Sequence, residues 1–224
     1  GRFIVNRIVR PRFTCGGCDT FTQAALPSRP LERGRPGPGL LAHIMVSKFA
    51  DHLPLYRQSG IYAREGVDLD RSTMAEWLGK ITTLLTPLAD AIARYVKCGQ
   101  AIHADDTPVK MLSPGNKKTK TARVWTYVRD ERPWSGSGPP AAWYEFSIDR
   151  KKQHPVGHLD GYLGWVHADD YAGCNDVFGV GKASEMACMA HVRRKFVDIL
   201  DGTSSATAEE VIKRIAGLYA VEKV

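Results

Sequence analysis

Apolar residues recur at mostly three- and four-residue steps from Leu40 to about Tyr95 and then give way to short runs, so a helical part is followed by a sheet-forming part. Leu40, Ile44, Val46, Phe49, Leu53 and Leu55 carry the helical pattern in its earlier part, and Met74, Trp77, Leu78, Ile81, Leu84, Leu85 and Leu88 carry it later. Glu65-Gly66-Val67 supplies a turn between them, and Asp70 or Ser72 is placed to cap the second helix. Beyond Gly99, Ala101 to Asp105, Arg123 to Arg129 and Ala142 to Ile148 read as a three-strand meander with Ser-, Pro- and Gly-rich connections. His154 to Tyr162 is long enough for a short helix, and Gly164 to Asp169 gives a fourth strand.

Two of these strands end alike, in Ile102-His103-Ala104-Asp105-Asp106 and Val166-His167-Ala168-Asp169-Asp170. Carboxylates carried at rigid strand ends can converge on Mg²⁺, an ion that prefers oxygen ligands and keeps open positions for phosphate and water. Asp105 and Asp169 each follow a histidine by two residues, so strand alternation sets them on corresponding faces, with Asp106 and Asp170 on the opposite one. His103 and His167 then pack or hydrogen-bond beneath the site. The bland alternative makes both doublets turn formers. The order β-β-β-α-β, with carboxylates on the first and fourth strands, is that of ribonuclease H-like nucleases and transposases, whose corresponding strands lie side by side. The expected fold class is therefore α+β or α/β with a mixed sheet.

Composition sharpens this reading. With 43% hydrophobic and 25% charged residues among 224, the chain is ordinary for a folded protein, and no apolar run is long enough to span a bilayer. Five cysteines, an odd number, and no export-like leader lead us to expect a reducing, cytoplasmic setting. The net charge of +7 favours a polyanionic partner. It is concentrated in residues 1–40, where Arg2, Arg7, Arg10, Arg12, Arg29, Arg33 and Arg35 face only Asp19 and Glu32, a local excess of +5. Such an arm suits a nucleic-acid backbone, or is simply a solvated lead-in. Within it Cys15-Gly16-Gly17-Cys18 has knuckle spacing for Zn²⁺, as half of a zinc ribbon or as a chance pair of thiols, since Cys98, Cys174 and Cys188 are isolated.

The Pro/Gly-rich stretch around residues 27–39 reads as a linker. Residues 40–98 then read as a helix-turn-helix-like region whose Arg71, Ser72 and Thr73 suit a DNA groove, or as a plain helical packing module. Lys117, Lys118, Lys120 and Arg123, and later Arg193, Arg194 and Lys195, are candidate phosphate contacts or solvated surface charge.

His103-Ala104-Asp105-Asp106-Thr107-Pro108, Arg123-Val124-Trp125-Thr126-Tyr127-Val128, Ala168-Asp169-Asp170-Tyr171-Ala172-Gly173 and Cys188-Met189-Ala190-His191-Val192-Arg193-Arg194-Lys195-Phe196 together resemble bacterial transposases of the insertion sequence sixty-six family. The resemblance extends to Pro36–Ala42 and Ala50–Gln58, and Cys15 and Cys18 match the second half of that family's zinc-binding module. It implies a DDE transposase, in which two aspartates and a distant glutamate hold two Mg²⁺ (or Mn²⁺) ions for DNA cleavage and joining of a 3′ hydroxyl. Asp105 and Asp169 correspond to the two aspartates, and Cys188 and His191 to a structural Cys-x-x-His motif. DNA is the implied partner, a homo-oligomer the implied assembly, and the bacterial nucleoid the implied location.

On this reading residues 1–26 form a partial zinc-ribbon-like arm, 27–39 a linker, 40–98 the helical DNA-binding region, 99–198 an incomplete ribonuclease H-like core and 199–224 the start of a helical insertion. The family's glutamate sits in an Asn-Asn-x-x-Glu context, and Glu185, Glu209, Glu210 and Glu222 all lack it. The sequence is thus expected to be truncated at both ends and inactive by itself. A non-catalytic DNA-binding relic is the alternative, and a stand-alone nuclease a weaker one.

Overall fold

A computed structural model describes residues 3–115, 118–134 and 136–221. Arg2 and Lys117, both placed above among the DNA contacts, lie outside the described residues, as does Glu222. The chain forms two compact units, Gly1–Thr86 and Pro87–Val224.

In the first unit, β1 (Arg12–Thr14) and β2 (Phe21–Gln23) pair as an antiparallel hairpin, followed by α1 (Pro38–Phe49), α2 (Leu55–Arg64) and the start of α3 (Arg71–Lys97). Pro38 stands at the first turn of α1, where its missing N–H costs nothing and its fixed φ suits the helix. The expected turn after α2 is built on Gly66 at φ +80°: Gly66 N–H donates to the Ala63 carbonyl at 3.1 Å and Val67 N–H to that of Tyr62 at 2.9 Å. This closes the helix in a left-handed cap that glycine adopts without strain. Leu31, Leu41, Ile44, Tyr62, Met74, Leu78 and Ile81 form the core. Gln58 is fully buried there; its Nε2 donates to the Leu53 carbonyl at 3.0 Å and that of Ile44 at 3.3 Å, and its Oε1 accepts from Tyr62 Oη at 3.0 Å.

The second unit is built on a five-stranded mixed sheet in the order β5-β4-β3-β6-β7, formed by β3 (Ala101–Leu112), β4 (Thr119–Arg129), β5 (Ala141–Ser147), β6 (Trp165–Ala168) and β7 (Ser184–Ala187). The meander β3-β4-β5 is antiparallel, whereas β3-β6 and β6-β7 are parallel. The short α4 (Gln153–His158) lies between β5 and β6 in sequence, and α5 (Met189–Thr203) and α6 (Ala206–Val221) follow. This arrangement is compatible with a ribonuclease H-like fold. Ile102, Trp125, Tyr127, Trp143, Leu159, Tyr162 and Val166 form its core together with Val96 of α3.

Three features differ from the sequence reading. β3 does not stop at Asp105 but runs to Leu112, paired with β4 throughout. It tolerates Pro108 because β6 flanks it only from Ala101 to His103, so its far half pairs on one side. β7 was not expected, since Ser-Glu-Met-Ala carries no β-branched residue and is held by its parallel register with β6. α4 ends at His158, four residues before the expected Tyr162.

His158 is half-buried against Tyr127 and Trp143, with Nδ1 at 2.8 Å from Tyr127 Oη. Burial, reinforced by His154 and Lys97, pushes its pKa down to about 4. The unfolded chain therefore binds the extra proton between about pH 4 and 6.5, and stability rises with pH across that window. Urea unfolding should show about 2–3 kcal/mol less stability at pH 4.5 than at pH 7, with that increment missing in His158→Gln. In the first unit, Gln58→Met should cost about 1–3 kcal/mol, read as a lower urea midpoint at unchanged slope, because the Leu53 carbonyl and the buried Tyr62 hydroxyl lose their Gln58 partner.

Candidate active site

The parallel register of β3 and β6, with Ile102 opposite Val166 and His103 opposite His167, brings the two aspartate doublets to the same level of the sheet. The His103 and His167 rings stack at 4.4 Å between centroids, and burial followed by the neighbouring His103 holds the His167 pKa below its usual value. Beyond this pair β6 ends, and oxygens of Asp105, Asp106 and Asp169 come within 4.8 Å of one another. Adjacent residues on a strand normally point to opposite faces. Here Asp105 curls back along its own chain, its Oδ1 accepting from Asp106 N–H at 2.8 Å.

The two members of the first doublet have different surroundings. Asp105 is exposed, whereas the Asp106 side chain is only 3% exposed and is held by Arg123 Nη1 at 2.9 Å and Arg150 Nη2 at 2.6 Å, with Arg150 Nε adding a second contact at 2.9 Å. Arg150 Nη2 also reaches Asp169 Oδ2 at 3.4 Å, and the guanidinium lies over the Tyr171 ring at 3.9 Å. Tyr171 closes the circuit: its N–H donates to Asp169 Oδ1 at 3.2 Å and its hydroxyl to the Arg150 carbonyl. The turn carrying Arg150 is itself pinned, because Trp125 Nε1 donates to Ser147 Oγ at 2.8 Å, Ser147 Oγ donates to the Asp149 carbonyl at 2.6 Å, and His154 bonds Asp149 Oδ1 at 2.7 Å.

The donor set is entirely carboxylate oxygen, which suits Mg²⁺ or Mn²⁺ rather than a soft ion. Asp106 is already compensated by two guanidinia, whereas Asp105 is exposed and Asp169 makes only the longer 3.4 Å contact to Arg150. The nearby Cys174 thiol is pushed up to about 11 by burial and then by the Asp169 and Asp106 charges, so it stays protonated. Zinc fares differently. Cys15 and Cys18 stand exposed at the tip of the β1-β2 hairpin, and Thr20 lowers the Cys18 pKa, yet among the described residues no third ligand joins them. A closed four-ligand zinc site does not fit this arrangement.

The other candidates are dispersed. Arg7 is exposed in the arm, Arg10 Nε donates to the Ala24 carbonyl at 2.6 Å, and Arg12 lies over Phe21. Arg71, Ser72 and Thr73 open α3. Lys118 and Lys120 are exposed on the β3-β4 hairpin, but Arg123, grouped with them from the sequence, turns inward to Asp106. Arg193 and Arg194 line a groove between α5 and α6 with Tyr219, while Lys195 pairs with Asp170. Cys188 caps α5 and its N–H donates to the Ala168 carbonyl at 3.2 Å; His191 Nδ1 is buried without a partner among the described residues.

Arg150 escaped sequence reasoning, because a single arginine after a strand carries no local signal and its role depends wholly on tertiary contacts. Asp106→Ala should cost about 2–3 kcal/mol in chemical unfolding. That is less than for a fully buried pair, since Arg123 and Arg150 keep partial solvent access.

Comparison with known proteins places the chain in a family. The model of the Transposase IS66 family matches residues 33–224. Three curated relatives from Sinorhizobium fredii carry the names uncharacterized protein y4jD, y4qI and y4hP. They are 37%, 41% and 38% identical, over 98%, 94% and 99% of this chain. The chain spans 44%, 40% and 43% of their respective lengths. With the family model covering most of its residues and the two aspartate motifs inside the match, this chain belongs to the Transposase IS66 family.

Proposed function

We propose that this chain carries two of the three catalytic carboxylates of a DDE transposase, Asp105 and Asp169, and that the complete protein cuts DNA and joins its 3′ hydroxyl to a target. The observation that carries this reading is the convergence of Asp105, Asp106 and Asp169 oxygens within 4.8 Å where β6 ends beside the middle of β3. Divalent magnesium or manganese bound there would activate the attacking oxygen and stabilise the departing one.

The chain's own residues do the rest. Asp105 and Asp169 would hold the ions, Tyr171 N–H fixes one oxygen of Asp169, and Arg123 and Arg150 pair with Asp106 inside the sheet. The exposed Arg7, Lys118, Lys120, Arg193 and Arg194 are proposed to bind the DNA backbone, and Arg71, Ser72 and Thr73 to approach a groove. Bringing two DNA ends together calls for a multimer. Among the described residues no helix is long and apolar enough to cross a membrane, and the proposed place of action is the bacterial nucleoid.

A second reading, a DNA-binding module without catalysis, is favoured by one observation: among the described residues the acidic cluster comprises Asp105, Asp106 and Asp169, with no glutamate. The two readings separate in one experiment. In a polypeptide extended to the length of the relatives, Asp105→Asn and Asp169→Asn should each lower Mg²⁺-dependent strand transfer by at least about a hundredfold while leaving salt-sensitive DNA binding unchanged. Residues 1–224 alone should bind DNA and transfer no strands. Undiminished transfer by either variant removes the catalytic assignment.

A further inference from the structure

Arg150 bridges two of the three clustered carboxylates. It is fixed by three contacts to buried Asp106 at 2.6–3.1 Å, by stacking on Tyr171 at 3.9 Å and by the Tyr171 hydroxyl on its own carbonyl, and from that position Nη2 reaches Asp169 at 3.4 Å. We propose that Arg150 is a built-in counter-cation of the acidic cluster: it holds Asp106 and Asp169 together before any metal arrives, and by occupying part of the cluster's electrostatic field it lowers the cluster's affinity for divalent ions. The inference rests on the reading of Asp105 and Asp169 as metal-holding residues.

The charges decide the direction. Three carboxylates against Arg123 and Arg150 leave a net charge of −1 at the cluster. A divalent cation entering there meets attraction from Asp105 and Asp169 and repulsion from a guanidinium that cannot leave without abandoning a 3%-exposed carboxylate. Loss of Arg150 has two opposite effects. It frees Asp169 to wander, which weakens binding, and it removes a positive charge in contact with a ligand oxygen, which strengthens it. The second should win. Asp169 keeps its hydrogen bond from Tyr171 N–H and its place at the end of β6, so little order is lost, whereas a unit charge in a partly desolvated site is poorly screened. A phosphate brought by DNA would add the negative charge that the free cluster lacks, so metal loading is expected to be coupled to DNA binding.

The test is Mn²⁺ binding to residues 1–224, read from the loss of the free-ion electron paramagnetic resonance signal, with circular dichroism to verify folding. Arg150→Met should bind Mn²⁺ at least about tenfold more tightly than the unaltered chain. Arg150→Lys, which keeps the charge, should stay near the unaltered value. A merely structural role predicts that both substitutions weaken binding or leave it unchanged, and that result with folded protein overturns the proposal.

If Arg150→Met does not fold, the double variant Asp106→Asn/Arg150→Gln removes the pair together and preserves the cluster charge of −1, with two carboxylates against Arg123. It should still bind more tightly, because no guanidinium touches Asp169, and unchanged or weaker binding overturns the proposal equally. Asp169→Asn should abolish tight binding in the Arg150→Met background. If it does not, the metal is held elsewhere, and the reading of the site falls together with the inference.

Discussion

A carboxylate almost removed from water has to be matched by cations, and Asp106 imposes that condition on the whole sheet. It sits opposite Trp125 in the β3-β4 register, so it points into the layer of side chains that forms the core. Arg123, two residues before Trp125 on the same face of β4, supplies one guanidinium. Arg150, from the turn after β5, supplies the other. Three strands are thereby drawn to one point, and the hydrogen bonds from Trp125 through Ser147 to Asp149 hold the turn at the required height. Asp169 comes within reach of Arg150 only because β6 lies parallel beside β3 and stops there.

How much of this was legible depends on whether a residue's role is set locally. The repeated His-Ala-Asp-Asp ending, the three-strand meander and the turn at Gly66 all follow from short-range rules of alternation, branching and backbone conformation. The far half of β3 did not follow, because Asp-Thr-Pro argues against a strand and only the pairing with β4 overrides it. β7 was invisible for the same reason: four residues without strand propensity are extended by a neighbour remote in sequence. Arg150 is the extreme case, since nothing at positions 147–152 distinguishes it from the two lysines that follow.

Charge was similarly under-determined. A net +7 counts every cation alike, but the structure spends several of them internally: Arg123 and Arg150 on Asp106, Arg129 on Glu131, Lys195 on Asp170. The cations left exposed include Arg7 of the N-terminal arm, Arg57 and Arg64 of α2, Lys118 and Lys120 of the β3-β4 hairpin, and Arg193 and Arg194 at the groove between α5 and α6. An overall charge therefore indicates a polyanionic partner without indicating which residues meet it. The hairpin offers Lys118 and Lys120, whereas Arg123, only three residues further along, is part of the interior.

The two aspartate doublets show how adjacent identical residues acquire different chemistry. In each, the second member is paired closely with basic side chains, Asp106 with two arginines and Asp170 with Lys195, whereas of the first members Asp105 is exposed and Asp169 makes a longer contact to Arg150. The engagements are not equivalent. Asp170 is exposed, so its lysine can exchange for water at little cost. Asp106 is buried, so its arginines cannot leave singly, and the same geometry that protects Asp106 fixes a positive charge against Asp169. Stability of the sheet and the proposed weakness of metal binding in the DNA-free protein then become two consequences of one ion pair, which ties the proposed chemistry to the fold through Arg150 rather than through the aspartates alone.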